Sequence, residues 1–174
     1  MAIRKIIIEP DPTLKKISEP VDRVGTEEQK LMDDMLETMY YAKGIGLAAI
    51  QIGVPKRIVV MDLSKDEKKK EPMYFVNPII KNKNQDLSKF EEGCLSVPNQ
   101  FVEVSRPSTC EIEYLDYNGE KRNLKCDGLL AVCIQHEIQH LDGITILRYV
   151  SNLKRSMIVK KLSKLKANED RVVL

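Results

Sequence analysis

Gln135-His136-Glu137-Ile138-Gln139-His140 is an H-E-x-x-H stretch, and it contains both histidines of the 174-residue chain. Side chains four residues apart on a helix lie one turn above each other. His136 and His140 can therefore aim imidazole nitrogens at one metal ion, with Glu137 in reach of a water beside it. Two unrelated histidines are the alternative, and they would not need a glutamate directly after the first. The flanks read as the helix that this spacing requires. Asp127 is placed to cap it, Leu129, Val132 and Cys133 lie on its apolar side, and Gly143 stops it.

Two histidines leave a tetrahedral site incomplete, so a third ligand must come from elsewhere, with water in the fourth position. A metzincin would carry a third histidine where this chain has Ile146. A thermolysin-like site would take a downstream glutamate, yet nothing acidic follows Asp142 until Glu169. A general zinc protease is thereby weakened. Upstream, Glu91-Glu92-Gly93-Cys94-Leu95-Ser96-Val97-Pro98 offers a thiol in a polar turn, and thiolate suits zinc or ferrous iron. Cys133 is the rival ligand, one turn before His136, but its neighbours Leu129-Leu130-Ala131-Val132 suit packing; Cys94 is favoured. In Gly44-Ile45-Gly46-Leu47-Ala48-Ala49-Ile50-Gln51 the glycines let another backbone approach, and the Gln51 amide can donate to a developing oxyanion. A simple turn is the other reading there.

The rest of the chain sets the fold class. Pro10, Pro12 and Pro20 suit an extended surface segment. Thr26-Glu27-Glu28-Gln29 reads as a capping box, with Thr26 as N-cap and Gln29 reaching back. Leu31, Met32, Met35, Leu36 and Met39 then give a helical stripe that ends at Lys43-Gly44, with a left-handed glycine. Leu47 to Ile52, Arg57 to Leu63, and Met73 to Ile80 with Pro78 at an edge or bulge read as strands. Ser64 to Pro72 is a charged loop. Phe101 to Val104 alternates, and Thr109 to Leu115 and Lys121 to Lys125 flank the hairpin signal Asn118-Gly119. Ile144 to Leu147 is a short strand. Ser151 caps a last helix with Leu153, Met157, Ile158, Leu162 and Leu165 on its apolar side. The expected fold is α+β: antiparallel and mixed sheets around a central helix carrying H-E-x-x-H, with a C-terminal amphipathic helix.

With 43% hydrophobic and 31% charged residues the chain suits one soluble domain. A net charge of +2 does not argue for reading nucleic acid, and no apolar run is long enough to span a bilayer. The apolar run before Glu9-Pro10 is too brief for a signal peptide, so the cytoplasm is the expected compartment. There Cys94, Cys110, Cys126 and Cys133 stay reduced, as ligands or buried thiols.

Three stretches together resemble the peptide deformylase family: Gly44 to Gln51, Glu92-Gly93-Cys94-Leu95-Ser96, and Gln135-His136-Glu137-x-x-His140, with weaker similarity from Pro10 to about Val150. The resemblance implies removal of the formyl group from the N-formylmethionine that starts new bacterial and organellar polypeptides. It implies Cys94, His136 and His140 as metal ligands, Glu137 as acid and base, and Gln51 with the Leu95 backbone N–H as oxyanion donors. The implied metal is Fe2+, one per chain, with Zn2+, Ni2+ or Co2+ able to take the same ligands. Substrate would lie extended along Ile45-Gly46 and add a strand. Leu129, Val132 and Cys133 are candidates for the methionine pocket, or plain core. The family commonly has Asp before the second histidine; Gln139 here can offer a cation such as Arg106 only a neutral hydrogen bond.

Residues 1–150 are then the catalytic unit, and 151–174 a helix and tail of the same domain. The basic residues Lys154, Arg155, Lys160, Lys161, Lys164 and Lys166 either dock on the ribosome, as in bacterial relatives, or form a solvated face. The expected partners are N-formylmethionyl nascent chains, with no membrane and no direct reading of nucleic acid, for a monomer. The competing readings are a zinc endopeptidase and a structural site in which Cys94, His136 and His140 are closed by another thiol, such as Cys133.

Overall fold

The computed structural model describes residues 2–64 and 69–172, with side chains to residue 167. Lys65, Asp66, Glu67 and Lys68 of the expected charged loop, and Met1, lie outside the described residues. Strand β2 (Ile58–Met61) shows how the layers form, because all four of its side chains are buried. Successive strand residues point to opposite faces, so a fully apolar strand must be covered on both sides. Ile58 and Val60 join Met32, Met35 and Met39 of helix α1 (Thr26–Tyr41). Val59 and Met61 join Ala131, Ile134, Ile138 and Leu141 of helix α2 (Gly128–Leu141). The sheet is thus held between two helices.

Its strands are β1 (Gly46–Ala48), β2, β3 (Met73–Lys83), β6 (Thr109–Leu115) and β7 (Lys121–Asp127), side by side in that order. A second sheet pairs β4 (Leu87–Gly93) with β5 (Phe101–Pro107). Helix α3 (Asn152–Val172) packs on it through Ile158 and Leu162, against Val97, Val102, Val104, Ile146 and Leu147. The architecture is α+β, with three α-helices among the described residues. Among the described residues all five strand pairs run antiparallel, and parallel pairing is confined to an isolated Glu19–Lys56 bridge, so the expected mixed sheets reduce to antiparallel ones.

Several local expectations shift. The N-cap of α1 is Gly25, and Glu28 rather than Gln29 closes the box by accepting the Gly25 N–H at 3.0 Å. Gln29 is drawn away to the Tyr117 carbonyl. The left-handed residue after α1 is Lys43, not Gly44. Only Gly46–Ala48 of the first expected strand is extended, and Ala49–Ile52 coils into a 3-10 turn. Ile146–Tyr149 is likewise a 3-10 turn, not a strand. Asp127 occupies the N-cap of α2 without a side-chain capping bond. Ser151 does cap α3, accepting the Lys154 N–H at 3.3 Å, but Leu153 and Met157 are 75% and 66% exposed, outside its packed face. The bulge at Pro78 is present: register slips between Val76 and Ile79, where Asn77 turns left-handed and bonds both backbone groups of Val21.

Candidate metal centre

Helix α2 is apolar nearly all round, and ten of its fourteen residues are buried, so the polar groups it carries are buried with it. His136, Glu137 and His140 are 8%, 5% and 0% exposed. Buried polar groups need partners. Strand β4 supplies them: it ends at Gly93 and delivers Cys94 to the histidines, with Sγ 3.2 Å from His140 Nε2. The two imidazole Nε2 atoms are 3.1 Å apart. Among the described residues, Cys94, His136 and His140 are the group whose ligand atoms converge, all within 4.8 Å of one another. Cys133 does not join them. It is a buried thiol whose pKa burial pushes up to about 12.

A sulfur and two imidazole nitrogens facing one point form a donor set for a borderline divalent cation. The shell behind them fits. Glu92 Oε2 lies 2.9 Å from His136 Nδ1, so this nitrogen donates and Nε2 is left as the ligand atom. Arg106 grips Glu92 with two nitrogens, Nε at 2.5 Å and Nη2 at 2.8 Å, in a buried fork. Its third nitrogen donates to Gln139 Oε1 at 3.0 Å, and Gln139 donates onward to the Tyr149 hydroxyl. Gln139 therefore does offer Arg106 a neutral hydrogen bond. Burial disfavours positive charge on the His136 ring, but its contacts with Cys94 and Glu92 outweigh that and draw charge to Nε2, which a cation there would supply in place of a proton. His140 is pushed well below its ordinary value by burial and by its charged neighbour. Burial raises Glu137 to about 7.

Glycine-rich chain brings the third stretch in. A Cβ on Gly46 would sit 2.5 Å from Glu137 Oε1, and one on Gly44 would sit 2.6 Å from Leu95 Cδ1. Each glycine therefore admits a side chain of the site. Gln51 is locked by the Ala48 N–H, which donates to its Oε1 at 2.8 Å. That leaves Nε2 turned toward the metal ligands, 3.1 Å from Ser96 Oγ and 3.8 Å from Cys94 Sγ. The N-terminal segment ties these loops together, with Ile7 N donating to Gln51 O and Glu9 N to Ser96 O.

A cavity of about 500 Å³ opens on this centre. Ile45, Gly46, Gln51, Cys94, Leu95 and Glu137 line it, and so do Leu129, Val132 and Cys133. The residues expected at the metal, in catalysis and along the peptide thus border the centre or its cavity. Glu92 was legible only as part of a motif, and nothing in the sequence pointed to Tyr149.

The comparisons with known proteins come to the same place. The polypeptide deformylase family profile matches residues 3–156. The chain is 67% identical over 168 residues to a peptide deformylase of Pelagibacter ubique, covering 97% of this chain and 98% of that protein. It is 51% identical over 171 residues to one of Maricaulis maris, covering 98% of each. A crystal structure of peptide deformylase from Ehrlichia chaffeensis superposes with a TM-score of 0.90 at 40% identity, covering 95% of this chain and 97% of that one. Another from the same organism, in complex with actinonin, gives 0.88 at 43% identity and covers 94% and 98%.

Proposed function

The chain belongs to the peptide deformylase family, a metal-dependent hydrolase that takes the formyl group off the N-terminal N-formylmethionine of new polypeptides, and from that premise we propose which of its residues do the work. Cys94, His136 and His140 hold the metal, and the single observation that carries this is the convergence of their ligand atoms on one side of α2. The cation, when bound, supplies Lewis acidity at the formyl oxygen and lowers the pKa of water from about 15.7 toward roughly 7.

Glu137 is the general base and acid. Its Oε2 is buried without a hydrogen-bond partner, which suits a group that takes a proton from attacking water and gives it to the departing amine. Gln51 Nε2, turned toward the ligands by the Ala48 N–H, donates to the oxyanion together with the Leu95 backbone N–H. The peptide lies along Ile45-Gly46 at the edge of the five-stranded sheet and adds a strand. This supplies affinity through the main chain, whatever the sequence of the nascent protein. The methionine side chain enters between Leu129, Val132 and Cys133.

The metal in the cell is Fe2+, a fit for one thiolate and two imidazoles, with Zn2+, Ni2+ or Co2+ able to substitute. Metal analysis of protein purified without oxygen tests this. In the same preparation, formate release from a formyl-Met peptide should fall by about 10²–10⁴-fold in Glu137→Ala, with metal content unchanged. Retained turnover in that variant would sink the acid–base role. Cleavage of an unformylated internal peptide bond would favour the endopeptidase reading. A structural site lacks support here, since no fourth Cys, His, Asp or Glu joins the group among the described residues.

The chain works as a cytoplasmic monomer, with 1–150 and 151–174 in one domain. No helix among the described residues is long and apolar enough to cross a membrane. The basic side of α3 docks on the ribosome. Pelleting with ribosomes across a salt series should weaken steeply when the lysines of α3 are replaced by glutamines. Equal pelleting of both forms rejects docking.

A further inference from the structure

We propose that Cys110 and Cys126 form a reversible disulfide when the protein meets a peroxide, at a modification site separate from the metal centre. The two thiols are free, and they stand directly opposite each other on β6 and β7. Opposed residues of an antiparallel pair have Cα atoms about 4.5–5.5 Å apart, inside the disulfide window of about 4.4–6.8 Å. Opposed Cβ atoms are generally about 4.5–5.5 Å apart, against about 3.5–4.5 Å across a disulfide, so closing the bond asks for a small approach of the two strands. A bond closed at that cost is open to thiol reductants.

Both side chains are buried at 5% and 2% exposure, but they line a surface cavity with Lys83, Asn84 and Lys125. A small polar oxidant has a route to them there. The roles within the pair are unequal. Lys83 stands directly opposite Cys110 in the β3–β6 register, and its ammonium favours thiolate there. The Cys126 thiol keeps its proton, donating it to the Leu124 carbonyl at 3.8 Å. Cys110 is accordingly the attacking sulfur.

The Cys110 thiolate attacks one peroxide oxygen and the O–O bond breaks. This leaves a sulfenic acid at Cys110 and a hydroxide that takes up a proton as water. The Cys126 sulfur then attacks the sulfenic sulfur, the S–O bond breaks, and the oxygen leaves as a second water with the Cys126 proton. Two thiols have lost two electrons to one peroxide.

The test is to treat the metal-loaded full chain with a few equivalents of hydrogen peroxide, alkylate, digest without reductant and map the peptides. The expected result is a linked Cys110–Cys126 peptide pair with the loss of two hydrogens, returned to free thiols by dithiothreitol. In Cys126→Ser, dimedone should trap a sulfenic acid at Cys110. The wild-type map stands alone if that variant does not fold. Recovery of both as free thiols at doses that oxidise Cys94 overturns the proposal, as does overoxidised Cys110 without linkage.

Discussion

Gly46 has no side chain, and that absence matters because Glu137 Oε1 occupies the space a Cβ would need, at 2.5 Å. Gly46→Ala must push the carboxylate aside, and a misplacement of about 1 Å can cost roughly 10²-fold in rate. Formate release should fall on that scale while metal content holds. At Gly44 the clash is with the end of the Leu95 side chain, which can rotate, so Gly44→Ala should cost less. Equal losses in the two variants would mean that Glu137 is not what the glycine protects. The H-E-x-x-H residues were legible because helical spacing alone brings them together. Cys94 needed a choice between two thiols that composition could not make. Burial among Ala131, Ile134 and Ile138 explains Cys133, and position at the end of β4 explains Cys94.

Among the elements, the hairpin at Asn118-Gly119 and the stripe of α1 were plain in the pattern, since turn chemistry and helical period are local. Strand β4 was not. It pairs with β5 and reads exposed and half-buried by turns up to the buried Glu92, so its residues carry no apolar run to betray it. The N-terminal segment lies on the surface as expected, with Pro10, Pro12 and Pro20 exposed, but Pro12–Lys15 coils into a 3-10 turn that buries Leu14, and Ala2 and Arg4 bond Asp34 of α1. The Arg4 guanidinium holds the Asp34 carboxyl below the usual carboxylate range against the effect of burial. A depressed folded pKa contributes stability above the unfolded value of about 3.9. That contribution is lost as the pH falls through the lower folded value. Asp34→Asn should therefore melt below wild type at pH 7, with the gap closing under acid. A gap independent of pH in thermal melts between pH 7 and 3 would deny the ion pair its part.

For the whole molecule, α3 buries two residues in the core. Ile158 and Leu162 are 4% and 0% exposed, and they close a cluster with Val97, Val102 and Val104 behind the Cys94 loop. Leu162→Ala should cost about 2–5 kcal/mol in urea unfolding, and Leu153→Ala, on the exposed side, within about 0.5 kcal/mol. Similar costs would mean that α3 packs by another face. The sequence by itself determined the α+β class, the family, and which cysteine and histidines to look for together, because motif spacing and periodicity act over short stretches of chain. Only the tertiary structure decided that Gln51 turns its amide toward Cys94, that Glu92 and Arg106 stand behind His136, that Tyr149 ends that line of hydrogen bonds, and that Cys110 faces Cys126. Those contacts join residues up to 44 positions apart, and only the register of the strands and the packing of α2 set such distances.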